Sequence, residues 1–348
     1  MGIRSAPYRA SWVDRLIDRI DALPGPAWVP YAIVSVVVFL AVHFAAWIDG
    51  FVGPDGLVAP GEFDLLLGSL AIYIIGSVAA IHFLDLRATL AWRSFRPVAS
   101  LADDDADRVL FELTTLPARA ALGWTIVGLA VAVLTLSAGY GEAVAFASAP
   151  LTFAVVTPVA AFAYITGALL AYHTIRQLRL IGRLPGYIER IDLLDAGPLH
   201  AFSGVTALTG GFFLVAAYFS VLTDPTTFTN PAVAAVNGFA VALGVVCFVL
   251  PLSGMQRRIA AEKERRLSAV SQRLDAALRD LARRNETADL SDADAVNKNI
   301  ASLLAERDLI ARTPTWPWSP ETLRGFGTAL VLPVVLWLVF RILERTLL

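Results

Sequence analysis

The sequence predicts an all-α fold: a bundle of seven transmembrane helices, N-terminus inside and C-terminus outside, with helical extensions and a helical hairpin on the inner side. Three observations predict it. The 348-residue chain is 57% hydrophobic and only 17% charged, with a mean hydropathy of +0.64, whereas a soluble domain carries about a quarter charged residues. Seven apolar segments stand out, near residues 28–48, 64–84, 120–138, 150–172, 201–222, 233–253 and 324–342. Each runs to about 19–23 residues, near the roughly 20 that a helix needs to cross about 30 Å of hydrocarbon.

The basic residues supply the orientation. Of 28 Lys and Arg, 4 precede the first segment, 5 lie between the second and third, 4 between the fourth and fifth, and 13 between the sixth and seventh with Arg324 included. The other two, Arg341 and Arg345, sit at the far end of the seventh. The loops after segments one, three and five hold acids alone: Asp49, Asp55, Glu62 and Asp64, then Glu142, then Asp224. Positive charge stays on the cytoplasmic side, which expects an inner-membrane, multi-pass protein of a prokaryote. Strands are not expected to span, because no period-2 alternation appears and backbone groups in lipid need internal partners.

Residues 1–27 form a cytoplasmic N-terminal segment. Tyr8, Trp12, Leu16, Ile20 and Leu23 recur every three or four residues, with Arg9, Asp14, Arg15 and Asp18 away from them. That is an amphipathic helix, lying on the inner membrane face or packed on the protein's own inner side. Pro24 and Pro26 end it. The first apolar segment is too long for the h-region of a cleaved signal peptide.

Residues 28–253 form the six-span membrane domain. After the second segment, Asp85–Pro97 continues as helix, with Trp92, Arg93 and Arg96 expected near the headgroups. Asp103, Asp104, Asp105 and Asp107 suit the start of the next helix electrostatically. The fourth segment continues inward through Thr174–Ile181. Pro158 in segment four and Pro333 in segment seven are candidate kinks. Gly204, Gly210 and Gly211 in segment five, with Gly238 and Gly244 in segment six, would allow close helix packing. The single cysteine, Cys247, is expected to be a buried small hydrophobe.

Residues 254–322 form the largest polar piece. Leu267, Val270, Leu274, Ala277 and Leu281 keep a 3-4-3-4 spacing, and Val296, Ile300, Leu303 and Ile310 mark a returning stripe. The region reads as a helical hairpin, closed within one chain, whose outer face through 254–312 could bind a cytoplasmic partner. Pro314, Pro317 and Pro320 end it, and Trp316 and Trp318 suit the headgroup belt. Residues 323–348 hold the seventh span and a short outer tail.

Motifs of chemistry are few. The chain has no phosphate-cradling glycine loop, no nucleophile elbow and no zinc-binding His-Glu-x-x-His. A non-enzyme is expected, with no catalytic residue, no assigned metal and no cofactor. The net charge of −2 gives no nucleic-acid footprint. All four histidines lie near segment ends, with His43 at an outer end. His82, Asp85, His173, Asp192 and His200 form a possible polar cluster on the inner face, either a metal or proton site or a set of interfacial side chains. No charge lies near the middle of a span, which argues against an ion-coupled carrier.

Two resemblances add expectations. The block from Arg190 to Ser203 resembles stretches of uncharacterised multi-span prokaryotic membrane proteins, which imply no activity. The overall arrangement of seven spans, with a last helix arriving from the cytoplasm, resembles the insect odorant and gustatory receptor channels. That resemblance is architectural, and the long inner piece at 254–322 departs from it. It implies a homo-oligomer, a tetramer if a channel, in which the seventh helix lines a cation pore through Leu332, Val335, Leu336 and Val339. The alternative is a non-catalytic membrane scaffold or sensor whose hairpin holds a partner. A small-molecule carrier ranks third, since the seven segments show no inverted repeat. Membrane lipid is a partner on every reading.

Overall fold

The computed structural model describes residues 6–53, 56–138, 149–188, 193, 197–223, 231–286, 293–316, 318 and 320–331. Its helices are α1 (Trp12–Asp21), α2 (Trp28–Asp49), α3 (Leu65–Phe95), α4 (Asp103–Thr114), α5 (Ala118–Ala138), α6 (Pro150–Ile181), α7 (Gly197–His200), α8 (Ser203–Thr223), α9 (Pro231–Val249), α10 (Ser253–Glu286) and α11 (Ala293–Arg312). Residues 320–331 form a last helical stretch. Among the described residues the departures from helix and loop are a two-residue antiparallel ladder, Val52–Gly53 against Gly56–Leu57, and an isolated antiparallel bridge between Ala10 and Pro117.

Four helical runs are long and apolar enough to cross a membrane: Trp28–Asp49, Leu67–Val98, Pro150–Tyr187 and Gly238–Glu286. The apolar runs Ala118–Leu134 and Ser203–Phe219 are shorter. Their outer faces carry bare hydrocarbon, including Val37, Leu40 and Phe44 on α2 and Ile126 and Leu134 on α5. Soluble proteins rarely expose apolar surface on that scale. Leu332, Pro333, Val335, Leu336 and Val339 lie outside the described residues, as does Asp192.

Helix α3 is central, packing on α2, α6 and α8. Close approach at glycines builds the other contacts. A Cβ on Gly210 of α8 would stand 2.6 Å from the Gly244 carbonyl oxygen of α9, and one on Gly128 of α5 would stand 2.6 Å from the Ile165 Cα of α6. Gly204, Gly211 and Gly238, expected to serve the same purpose, would carry a Cβ into open space. Pro158 lies inside α6, which runs unbroken through it.

The more polar elements pack on the bundle. Helix α1 docks through Val13 and Ile17 against Val78 and Ile81 of α3, Ala121 of α5 and Leu169 of α6. Its buried face is therefore centred one residue round from the expected stripe: Ile20 is half-buried, Leu23 is exposed and Asp14 is buried. Tertiary contact with three neighbouring helices outweighed the apolar stripe. Trp92 and Trp318, expected at headgroup level, lie in the core instead. Trp316 remains 58% exposed.

Helices α10 and α11 form the expected hairpin. Val270, Leu303 and Ile310 are buried in it, with Leu267, Leu274 and Ala277 packed alongside. Lys263 Nζ donates to the carbonyls of Ala311 (2.7 Å) and Thr313 (2.8 Å), and Arg273 meets Glu306 at 3.5 Å. These pairs run in opposite directions along the two helices, so the hairpin is antiparallel and closes within one chain. One continuous core joins it to the bundle, from Phe95 and Val205 through Phe248, Leu252 and Ile259 to Val270 and Ile310.

Candidate functional site

The polar groups of the bundle gather where α1, α3 and α6 meet the α4–α5 turn. Helix α1 starts with a capping box. Ser11 Oγ accepts from the Asp14 backbone N–H at 3.3 Å, and Asp14 Oδ2 accepts from the Ser11 N–H at 2.8 Å. Such a box satisfies helix-end donors reciprocally. Asp14 Oδ2 also accepts the N–H of Leu116 at 3.1 Å, so one carboxylate oxygen fastens α1 to the turn before α5.

Arg176 of α6 closes the same region. Its guanidinium donates to the carbonyls of Glu112 and Thr115 and to the Tyr8 hydroxyl, which in turn donates to Thr115 at 2.9 Å. Burial is the largest influence on both acids here. It pushes the Tyr8 phenol up to about 12, with Arg176 opposing. It also raises the Asp14 carboxyl above its ordinary range, against the hydrogen bonds from Ser11 and Leu116.

The centre of the site is Asp85 of α3 and His173 of α6. His173 Nε2 stands 2.7 Å from Asp85 Oδ1, with side chains 2% and 13% exposed. A carboxylate can only accept, so Nε2 carries the proton. Gln177, one turn on from His173, donates through Nε2 to the Leu113 carbonyl at 3.2 Å and reaches Asp85 Oδ1 at 3.4 Å. Two buried atoms are left unsatisfied here, His173 Nδ1 and Gln177 Oε1. Nδ1 is an acceptor in the neutral ring and a donor in the imidazolium, whereas the amide oxygen always accepts. The arrangement ties two long apolar helices together by a buried charged pair and leaves two polar atoms beside it open to a further partner.

The expected inner cluster divides. Asp85 and His173 come together as anticipated. His82 turns instead to Asp21 Oδ1 at 3.1 Å and takes the Tyr31 hydroxyl on Nδ1 at 3.0 Å. His200 sits on α7 with Nδ1 buried and unpartnered. Among the described residues no group of three His, Cys, Asp or Glu side chains could hold a metal ion. Sequence reading missed Asp14, Tyr8, Arg176 and Gln177. For Gln177 a signal existed: it is a polar residue one helical turn from His173.

At the other end of the bundle, His43 is fully buried. Its Nδ1 lies 2.8 Å from the Phe39 carbonyl, so that nitrogen donates. Its Nε2 then accepts the Asp64 N–H at 3.1 Å, at the residue whose side chain caps α3. This histidine joins α2 to the start of α3. No known protein family, curated protein or solved structure matches the chain.

Proposed function

We propose that this is a seven-span, N-in/C-out protein of a prokaryotic inner membrane, a non-catalytic sensor or scaffold that presents a rigid helical hairpin to the cytoplasm. The continuous core carries this reading. Phe248 of α9 stacks on Phe326 at 4.0 Å and lies 5.2 Å from Trp318. The same core continues through Leu252 and Met255 into α10. Packed interiors transmit displacement because they are dense and hardly compressible. A shift of the membrane helices therefore moves an arm of about 51 Å, the length of a 34-residue helix at 1.5 Å per residue.

The Asp85–His173 pair supplies an input of matching kind, since it spans α3 and α6 beneath that core. The distribution of Lys and Arg supports the orientation. For the chemoreceptor-like channel reading, Leu332, Val335, Leu336 and Val339 lie outside the described residues, and no observation among those described favours it.

The test is ion flux through liposomes holding the full chain, wild type and Leu336→Asn. A hydrophobic gate conducts once it is made polar. The scaffold reading expects both proteins to leak no more than empty liposomes. Flux that appears or rises with Leu336→Asn would replace it with the channel.

A further inference from the structure

Two apolar grooves lie side by side against α8. The first, of about 430 Å³, is bounded by Trp28 and Tyr31 of α2, Gly76 and Phe83 of α3, and Leu208 and Phe212 of α8. The second, of about 710 Å³, runs along Gly204, Gly211 and Tyr218 of α8 and faces Gly325 and Ala329 of the last helical stretch. Leu208 and Phe212 line both, so they form the ridge between them. A Cβ added at Gly76, Gly204, Gly211 or Gly325 would meet nothing within 4 Å. The glycines that close α8 onto α9 are different ones, so the open glycines keep the grooves open rather than serving helix packing.

Arg87 of α3 lines the second groove, and Leu86 beside it lines the first. Its guanidinium lies 5.2 Å from the Phe83 ring centroid. Among the described residues it has no acidic partner. Two acids on flanking elements are engaged elsewhere, Asp85 with His173 and Asp21 with His82. An unneutralised guanidinium at the shared end of two apolar channels calls for an anion that carries two apolar chains. The channels match in reach: Gly76 to Leu86 spans about 15 Å and Gly204 to Tyr218 about 21 Å of helix, against about 15 Å for one hydrocarbon leaflet.

We propose that an anionic phospholipid occupies this site, its phosphate on Arg87 and one acyl chain on each side of the Leu208–Phe212 ridge. The proposal rests on the chain being membrane-spanning and is independent of what the hairpin does. A charge-assisted bidentate bond from arginine to a phosphate oxygen pair supplies the headgroup selectivity.

Native mass spectrometry of the full chain in detergent tests this, with dioleoyl phosphatidylglycerol and dioleoyl phosphatidylcholine as probes. Wild type retains phosphatidylglycerol in preference. Arg87→Gln loses that preference by about tenfold, the scale of one hydrogen bond to a charged group, and Gly211→Leu, which fills a groove, weakens retention of both lipids. Equal binding of the two lipids by wild type overturns the proposal, as does an Arg87→Gln protein with the wild-type preference or a Gly211→Leu protein with undiminished retention. If the variants do not fold, photocrosslinking of a diazirine-tailed phosphatidylglycerol to wild type decides the matter. Label on the Leu208–Phe212 face supports the site, and label elsewhere overturns it. A chain that stays in solution without detergent would instead overturn the membrane reading beneath it.

Discussion

Removing His173 alone should cost the protein far more than removing His173 and Asp85 together. With His173→Leu, the Asp85 carboxylate keeps only the long contact to Gln177 Nε2, 3.4 Å, in a position where its side chain is 13% exposed. Breaking a buried charged pair from one side costs about 3–5 kcal/mol, because the remaining charge is left desolvated. At roughly 2–4 °C per kcal/mol for a domain of a few hundred residues, that lowers Tm by on the order of 10 °C. The double replacement Asp85→Leu/His173→Leu removes both polar groups and approaches neutrality. It also removes the unsatisfied Nδ1 of His173. The assay is thermal unfolding in detergent, read by tryptophan fluorescence, since Trp92 and Trp318 lie in the core that melts. Wild type, Asp85→Leu, His173→Leu and the double form a double-mutant cycle, and residues in direct contact show coupling of about 0.5–3 kcal/mol. Single variants within about 0.5 kcal/mol of wild type, or costs that simply add in the double, would refute the reasoning.

Two further outcomes follow from packing and from burial. Gly210→Ala places a Cβ 2.6 Å from the Gly244 carbonyl oxygen and 2.7 Å from the Phe326 ring, and overpacking of this kind costs about 1–3 kcal/mol. Gly211→Ala, one residue on and facing open space, should leave Tm unchanged or raise it through helix propensity, so equal melting of the two variants would dismiss the α8–α9 contact. Burial raises the Asp14 carboxyl above its ordinary 3.8, so its protonated form is favoured by folding. Its contribution to stability is complete below 3.8 and lost as pH rises through the folded value. Melts of wild type and Asp14→Asn from about pH 3 to about pH 7 should show wild type losing ground to the variant as pH rises, and parallel curves would refute this assignment.

Hydropathy marks the environment of a segment, and for that reason the four long apolar helices were legible. A lipid-crossing helix must be apolar along its whole length, whoever its neighbours are. The hairpin was legible on the same ground, because Val270, Leu303 and Ile310 repeat on a stripe that a helix of any partner would bury. Which face of α1 turns inward was not. Trp12, Leu16 and Ile20 make the wider apolar stripe, yet Val13 and Ile17 fit the gap between α3, α5 and α6. Asp14 follows them inward because Ser11 and Leu116 have backbone N–H groups to satisfy there. Trp92 and Trp318 mislead in the same way. Tryptophan favours the interface on average, but these two belong to the core that α4 and the hairpin share with the bundle.

Partner identity was beyond reach of any local pattern, since the bonds that matter join residues far apart in sequence. His173 finds Asp85 across 88 positions, and Asp14 finds Leu116 across 102. The histidines show what this costs a reading by residue type. All four lie near segment ends, which suggested three of them converging on one inner site. In the structure His43 donates from Nδ1 to Phe39 and accepts on Nε2 from Asp64. His82 donates from Nε2 to Asp21 and accepts on Nδ1 from Tyr31. Both rings use both nitrogens in hydrogen bonds, so neither has a lone pair to offer a metal. His173 differs in one respect. It fastens α3 to α6 with Nε2 and keeps Nδ1 buried and free. A fastening that uses both nitrogens is complete as it stands, whereas one with a spare nitrogen leaves a buried polar atom unsatisfied. Of the three histidines that join elements, His173 is therefore the one that leaves a buried nitrogen open to a further partner, and it lies between two helices that share the core leading to the hairpin.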